Sequence, residues 1–154
     1  MSKCYVIRPA TTEDEKDILK LSRYIADSYT RSYLGDKTVN WYIDSGSCDE
    51  DMKKEIANTT LLLLHGFIIG IMIWHDNQMH GFMIDVPYHG TGAAQYFCEQ
   101  MIPEKLKQYG EIYLECFDKN QRAIAFYEKT GWREFDRVKD EIIDGYRIIF
   151  KIIK

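Results

Sequence analysis

One short segment of the chain combines a proline and two glycines between an apolar run and a helix-forming run. Met79–Val86 has the composition of a β-strand, Pro87 ends it, and Gly92–Gln108 carries apolar residues at helical spacing. At a strand-to-helix junction the first backbone N–H groups lack partners, and the helix dipole adds partial positive charge. Gly90 and Gly92 let a ligand approach the backbone without a Cβ in the way. The segment therefore predicts an anion site suited to a phosphate or pyrophosphate.

Two familiar phosphate-binding patterns do not fit this segment. The Rossmann fingerprint requires glycine or alanine where Gln95 stands, and the Gly-Lys-Ser/Thr of a P-loop is absent. The hypothesis of a nucleotide-dependent oxidoreductase is therefore supported by the glycine pair alone. A tight turn without a ligand is the other interpretation of this pair.

A second segment, Leu114–Trp132, has the pattern of a strand, a loop and a helix. Asn120 is a residue type that begins helices, and Gly131 is one that ends them. The two segments together resemble the GCN5-related N-acetyltransferase (GNAT) superfamily. Its coenzyme A loop has the pattern Gln/Arg-x-x-Gly-x-Gly/Ala, and its later helix the pattern Asn-x-x-Ala-x-x-Phe/Leu-Tyr-Glu-Lys-x-Gly-Phe/Trp. The matching positions are Gly92, Ala94, Asn120, Ala123, Phe126, Tyr127, Gly131 and Trp132, whereas His89 stands where glutamine or arginine is usual.

The resemblance implies that acetyl-coenzyme A is the co-substrate and that an amine attacks its thioester directly, without an acetyl-enzyme. The backbone of Ile84–Val86 would then pair with the pantetheine amides, as an added strand does. Tyr127 would give a hydrogen bond or a proton to the departing thiolate. The binding residues implied for the coenzyme are Ile84, Asp85, Val86, His89, Gly90, Thr91, Gly92, Ala93, Ala94, Asn120 and Tyr127.

The base that removes the proton from the attacking ammonium is not fixed by the sequence. His80 has a suitable intrinsic pKa, and Asp85 alternates with apolar neighbours on the same strand. A water relay is an equal alternative, and a solvated strand edge is the commonest environment of a lone histidine or aspartate. We take Tyr127, His80 and Asp85 as the candidate catalytic residues.

The acceptor side is expected in the helical region after the first helix. Aromatic faces suit an amine or ammonium, and the candidates there are Tyr29, Tyr33, Trp41 and Tyr42. An equally good interpretation is that some of these aromatic residues pack in the core and the others lie on the surface without a binding role. The expected acceptor is a primary amine on a small molecule. The alternatives are a protein N-terminus or lysine, and a coenzyme A-binding module without turnover.

These residues must be positioned by an α/β fold in one domain, residues 1–154. The order of the predicted elements is a strand, one or two helices, three strands, a helix, a strand, a helix and two strands. The resemblance implies a GNAT-like mixed, largely antiparallel central sheet flanked by helices. Pro103 is expected to kink or break the helix that contains it. The apolar strand Tyr146–Ile153 is long enough to form a sheet edge, and a homodimer is possible.

Composition narrows the function classes. The net charge of −4 gives no general electrostatic reason to bind nucleic acid or an anionic membrane. The longest apolar stretch, Leu61–Trp74, is interrupted and shorter than a membrane span. The cysteines form no Cys/His cluster, so no metal is expected and free thiols in a reducing compartment are the simpler interpretation. We therefore expect a cytoplasmic protein.

Overall fold

The computed structural model describes residues 4–141 and 143–154. Its strands are β1 (Tyr5–Pro9), β2 (Thr59–Leu64), β3 (Phe67–His75), β4 (Gln78–Ile84), β5 (Glu111–Phe117), β6 (Arg133–Lys139) and β7 (Tyr146–Ile153). Its α-helices are α1 (Glu15–Ser28), α2 (Arg31–Leu34), α3 (Asp36–Asp44), α4 (Ser47–Glu55), α5 (Ala93–Tyr109) and α6 (Gln121–Lys129). Short 3₁₀ turns lie at Thr12–Asp14, Ile56–Asn58 and Val86–Tyr88.

The strands form one sheet in the order β1-β2-β3-β4-β5-β7-β6. Neighbouring strands run antiparallel except β4 and β5, which are parallel. A long helical connection is needed between parallel strands, and α5 provides it. The predicted mixed, largely antiparallel sheet flanked by helices is therefore confirmed.

Helices cover both faces of the sheet, because its central strands alternate between two apolar sets. Leu62 and Leu64 of β2 belong to the core that contains Phe97 of α5. Leu61 and Leu63 point the other way, into a core that contains Ile18 of α1 and residues of α4. Strand side chains alternate between faces, so one run of four leucines supplies both cores.

The expectation that Tyr146–Ile153 forms a sheet edge is wrong. β7 lies inside the sheet, between β5 and β6, and β6 is the edge strand at that end, opposite the β1 edge. The reason is that β6 and β7 form a hairpin whose second strand returns to pair with β5. The alternation of buried and half-buried residues along β7 fits this interior position, whereas every residue of β6 is exposed.

The helix that contains Pro103 is also not broken. α5 continues through Pro103 to Tyr109. Packing explains this, because buried Phe97 and half-buried Leu106 hold the helix to the same core on either side of the proline. Among the helices that the structure describes, none is long and apolar enough to cross a membrane.

Candidate active site

The candidate site lies where the two parallel strands separate. β4 and β5 pair at Gln78 with Tyr113 and at Met79 with Leu114. Both strands continue further, β4 to Ile84 and β5 to Phe117, without further pairing between the described residues. The strands therefore diverge and leave a cleft open toward their carboxyl ends.

The β4 side of this cleft presents backbone groups that no neighbouring strand pairs with. Asp85 N–H donates to Ile69 O at 2.8 Å, which directs the backbone of Asp85 toward β3. Backbone groups of successive strand residues point to alternate sides. Ile84 and Phe82 therefore turn their N–H and C=O groups toward the cleft, which is the arrangement needed to pair with an added extended chain.

His89 closes part of this edge with its own side chain. Its Nε2 lies 2.6 Å from Ile84 O. A carbonyl oxygen can only accept, so Nε2 carries the proton and donates. The ring also packs edge-on against Tyr29, with centroids 5.4 Å apart. His89 Nδ1 is buried and has no hydrogen-bond partner among the described residues.

The loop after β4 ends at the N-terminus of α5. Tyr96 N–H, which bonds Gly92 O, makes the first bond of the helix, so the N–H groups of Ala93, Ala94 and Gln95 have no intrahelical partner. Gly92 has φ +89°, a left-handed conformation that a glycine adopts without strain. A Cβ at this position would meet no heavy atom within 4 Å, which leaves open space beside the loop. These free N–H groups and this open space lie where the sequence predicts an anion site.

Asn120 connects the two sides of the cleft. Its Oδ1 accepts from Ala123 N–H at 3.3 Å, which makes it the N-cap of α6 as its sequence position predicts. The same oxygen accepts from the hydroxyl of Tyr29 at 3.4 Å. Asn120 thereby ties α1 to the first turn of α6.

Tyr127 projects from α6 into the core beneath the cleft and lines it. Its ring packs against Trp132 and Phe150, with centroids 6.1 and 5.9 Å away. Burial raises the pKa of Tyr127 well above its ordinary value, so the phenol is neutral at physiological pH. A neutral phenol can donate a hydrogen bond or a proton to an anion that forms beside it.

The cleft passes through the sheet, because its walls come from both faces. Its volume is about 430 Å³, within the range of small-molecule sites. On the α5/α6 side the wall includes Ala94 and Phe126, and on the α1/α4 side it includes Ser22, Cys48 and Met52. A ligand on one face can thus reach a ligand on the other face through the gap between β4 and β5.

Three of the four predicted acceptor-side aromatics line this cleft, namely Tyr29, Tyr33 and Tyr42. Burial raises the pKa of Tyr33 and Tyr42, and the bond from the Tyr42 hydroxyl to Asp51 at 2.6 Å raises that of Tyr42 further. The fourth candidate, Trp41, is not part of the wall. It follows one residue before Tyr42 on a helix, so its side chain points to another side of α3, and it is 63% exposed.

The two suggested bases do not line the cleft either. His80 lies nearer the start of β4, where its ring stacks on His75 with centroids 4.2 Å apart. Asp85 begins the 3₁₀ turn after β4, and its N–H is committed to β3. Val86 belongs to the same turn, so of Ile84–Val86 only Ile84 faces the cleft. The alternation of Asp85 with apolar neighbours did not place it at the cleft, because β4 ends at Ile84.

The structure adds wall residues that the sequence did not single out as a site. Glu115 and Cys116 come from β5, and Arg122 comes from the first turn of α6. Glu115 pairs with Arg147 at 3.2 Å. Burial raises the pKa of Cys116 to about 12, which keeps it a thiol. All four cysteines are free. The sequence could have indicated these wall residues only through their closeness to Asn120, since all three lie within five residues of it.

A sequence model described as the acetyltransferase (GNAT) family matches residues 25–132. This range includes the β4–α5 loop, β5 and the whole of α6. No curated protein matches the chain in sequence.

Solved structures with this fold include three that share less than 20% of their sequence with the chain. A GCN5-related N-acetyltransferase from Rhodopseudomonas palustris is 11% identical with a TM-score of 0.81, over 100% of this chain and 99% of that one. A PaiA N-acetyltransferase from Thermoplasma acidophilum, in complex with coenzyme A, is 19% identical with a TM-score of 0.75, over 100% of both chains. The ribosomal-protein-S18-alanine N-acetyltransferase of Escherichia coli is 17% identical with a TM-score of 0.70, over 97% of this chain and 94% of that one.

Proposed function

This chain belongs to the acetyltransferase (GNAT) family, and from this premise we propose that it transfers the acetyl group of acetyl-coenzyme A to a primary amine of a small molecule. One observation carries the proposal. The cleft between β4 and β5 joins a helix N-terminus on one face of the sheet to an aromatic cavity on the other. Two reactants that enter from opposite faces meet in that gap.

The coenzyme occupies the α5/α6 side. Its pyrophosphate binds the free N–H groups at the start of α5, beside Gly90 and Gly92. The pantetheine arm lies along β4 and pairs with the backbone of Phe82 and with the N–H of Ile84, whose C=O is held by His89. The family resemblance alone implied Ile84–Val86. A coenzyme A complex of a structural neighbour supports this ligand class.

The transfer step needs an acid for the leaving group. The amine nitrogen forms a bond to the thioester carbonyl carbon, and the tetrahedral intermediate collapses with cleavage of the C–S bond. The electron pair goes to sulfur, which takes a proton from the Tyr127 phenol. The phenolate regains a proton from the nitrogen of the new amide by way of water, so the amide, the coenzyme thiol and Tyr127 all end neutral. Tyr127 suits this role because it is neutral and lines the cleft from beneath.

The attacking amine must also lose a proton. His80 and Asp85 lie outside the cleft wall, and Glu115 is engaged by Arg147. We assign the removal of this proton to water at the cleft mouth, which the sequence left open as an alternative. If water removes the proton from the ammonium, the rate of acetyl transfer should rise with pH until most of the acceptor is free amine.

The size and lining of the acceptor side favour a small molecule. The whole cleft measures about 430 Å³ and holds the coenzyme arm as well, so little room remains for an acceptor. Tyr29, Tyr33 and Tyr42 form its aromatic wall, which suits a compact amine. A protein N-terminus, as for the S18-alanine enzyme among the structural neighbours, is the competing acceptor.

Calorimetric titration with acetyl-coenzyme A tests the coenzyme assignment. We expect micromolar binding, lost in Gly92→Glu because the new carboxylate repels the pyrophosphate. Gly110→Glu is the matched control, since Gly110 is also left-handed, at the other end of α5. Equal losses in both variants would indicate disturbance of the helix rather than of the site.

An acceptor panel then separates the remaining functions. Release of coenzyme thiol is measured with small primary amines and with peptides that have free N-termini or lysines. Turnover with small amines supports the proposal, and turnover with peptides alone replaces it with protein acetylation. Tight coenzyme binding without turnover for any acceptor would instead indicate a coenzyme A-binding module.

A further inference from the structure

A second group of chemically active side chains lies away from the cleft, at the other end of β4. It consists of Glu55, His75 and His80, which we call the Glu-His-His cluster. One ligand atom from each residue lies within 4.8 Å of the other two. Glu55 Oε2 is 2.6 Å from His75 Nε2, and the two imidazoles stack with an interplanar angle of 21°.

A β-bulge brings the second histidine to this position. Trp74 pairs with Met79 and Ile73 with Gly81, so His80 is an extra residue without a partner on β3. Bulges redirect side chains, and they are common next to functional sites.

We propose that the Glu-His-His cluster is a binding site for a divalent transition-metal ion, with Zn²⁺ as its preferred occupant. Two imidazoles and one carboxylate are a ligand set that zinc accepts, with water in the fourth position. His80 is exposed, so the open position faces solvent. The mixed nitrogen and oxygen set is poor for Ca²⁺ or Mg²⁺, which prefer oxygen ligands alone.

The geometry needs only small adjustments to hold an ion. Tetrahedral zinc, with bonds of about 2.0–2.1 Å, places its ligand atoms about 3.4 Å apart. The Glu55–His75 contact must therefore open from 2.6 Å, and His80 must close from a separation of at most 4.8 Å. Rotation of the exposed His80 side chain provides the second change. Metal binding displaces the proton shared by Glu55 and His75, as binding to imidazole generally does.

An ion at this site would connect two parts of the fold. Glu55 is the last residue of α4, and the histidines belong to the β3–β4 hairpin. The Glu55–His75 bond already links these two parts, and a 3.4 Å bond from Asn58 steadies the same carboxylate. Since α4 also supplies Cys48 and Met52 to the cleft wall, metal would fix the acceptor side of the cleft relative to the sheet.

Calorimetric titration of the tag-free, chelator-treated chain with ZnCl₂ tests the site, and Co²⁺ absorption reports on the ligand geometry. We expect one ion per chain, with a rise in the melting temperature. His80→Ala and Glu55→Gln should each weaken zinc binding at least tenfold. His65→Asn is the matched control, because His65 lies in the β2–β3 turn at φ +53°, a conformation asparagine tolerates. We expect it to bind zinc within twofold of the wild type.

Three results would overturn the assignment. One is the absence of binding to the wild type at millimolar zinc. Another is unchanged affinity in His80→Ala, a substitution at an exposed position whose retained fold is checked by circular dichroism against the wild type. The third is loss of binding in Cys4→Ser with retention in His80→Ala, which would locate the ion at the exposed Cys4 thiol. None of these outcomes depends on acetyl transfer.

Discussion

His89 donates a hydrogen bond from Nε2 to the carbonyl oxygen of Ile84 across 2.6 Å, so the loop before α5 holds the cleft edge of β4 with its own side chain. Glutamine or arginine is usual at this position in the family that the chain resembles. A glutamine amide can donate the same bond. The departure at His89 therefore preserves the contact that the structure shows.

This contact predicts different outcomes for two substitutions at one position. His89→Gln keeps a donor for Ile84 O, so its affinity for acetyl-coenzyme A should stay within about twofold. His89→Ala leaves that carbonyl without its partner, which costs about 1 kcal/mol and should weaken binding about fivefold. Calorimetric titration of both variants with acetyl-coenzyme A measures the two affinities. Equal affinities for alanine and glutamine would show that the side chain has no part in shaping the edge.

Much of the fold was predictable because local pattern determined it. The four leucines of β2, the N-cap at Asn120 and the glycine stop at Gly131 are visible in the sequence, and the structure bears them out. The position of His80 was not predictable, because a bulge depends on how β4 pairs with β3. The edge position of β6 likewise depends on which strand returns to β5, a choice that lies outside any single strand.

The helix N-terminus after β4 was predictable because local backbone makes it, whereas the side chains around the cleft are positioned by elements that are distant in sequence. Loop glycines indicate a helix N-terminus from local sequence alone, and Gly92 does stand at the start of α5. Trp41 and Tyr42 have equal claims as aromatics in the sequence, but they face different sides of α3, and only Tyr42 reaches the cleft. Which of two neighbouring helix residues faces the cleft depends on how the helix is rotated relative to the sheet.

Removal of one hydroxyl tests Tyr127 as the acid. Tyr127→Phe keeps the ring packing against Trp132 and Phe150, so stability should change by less than about 1 kcal/mol. Turnover should fall about 100-fold, the lower end for loss of a positioned acid, with little change in KM for acetyl-coenzyme A. Tyr96→Phe is the control, because Tyr96 stacks on Tyr5 away from the cleft. Full activity in Tyr127→Phe would remove it from the chemistry.

The acceptor side predicts a split between two aromatic residues. Tyr33→Leu removes a cleft-wall ring that packs on Tyr29, with centroids 6.0 Å apart. The KM for the amine should rise about fivefold, as expected for loss of a favourable aromatic contact with a cation. Trp41→Leu, on the exposed side of α3, should leave this KM unchanged. Steady-state kinetics with the best amine of the panel make the comparison, and equal effects would contradict the assignment of the wall.

The turn before α1 predicts a pH-dependent contribution to stability. Asp14 accepts two bonds from the Arg8 guanidinium, each 2.8 Å long, and a third from Thr11 N–H. The hydrogen bonds from Arg8 lower the pKa of Asp14 well below its ordinary value, against the opposing effect of burial.

Because the folded-state pKa is depressed, ionised Asp14 stabilises the fold fully above the unfolded pKa of about 3.9. This contribution is lost as the pH falls from there toward the folded pKa. Asp14→Asn should therefore unfold at a lower urea concentration than the wild type at pH 7, and the two midpoints should converge between about pH 4 and pH 2. A constant difference across that range would show that Asp14 acts through packing rather than through its charge.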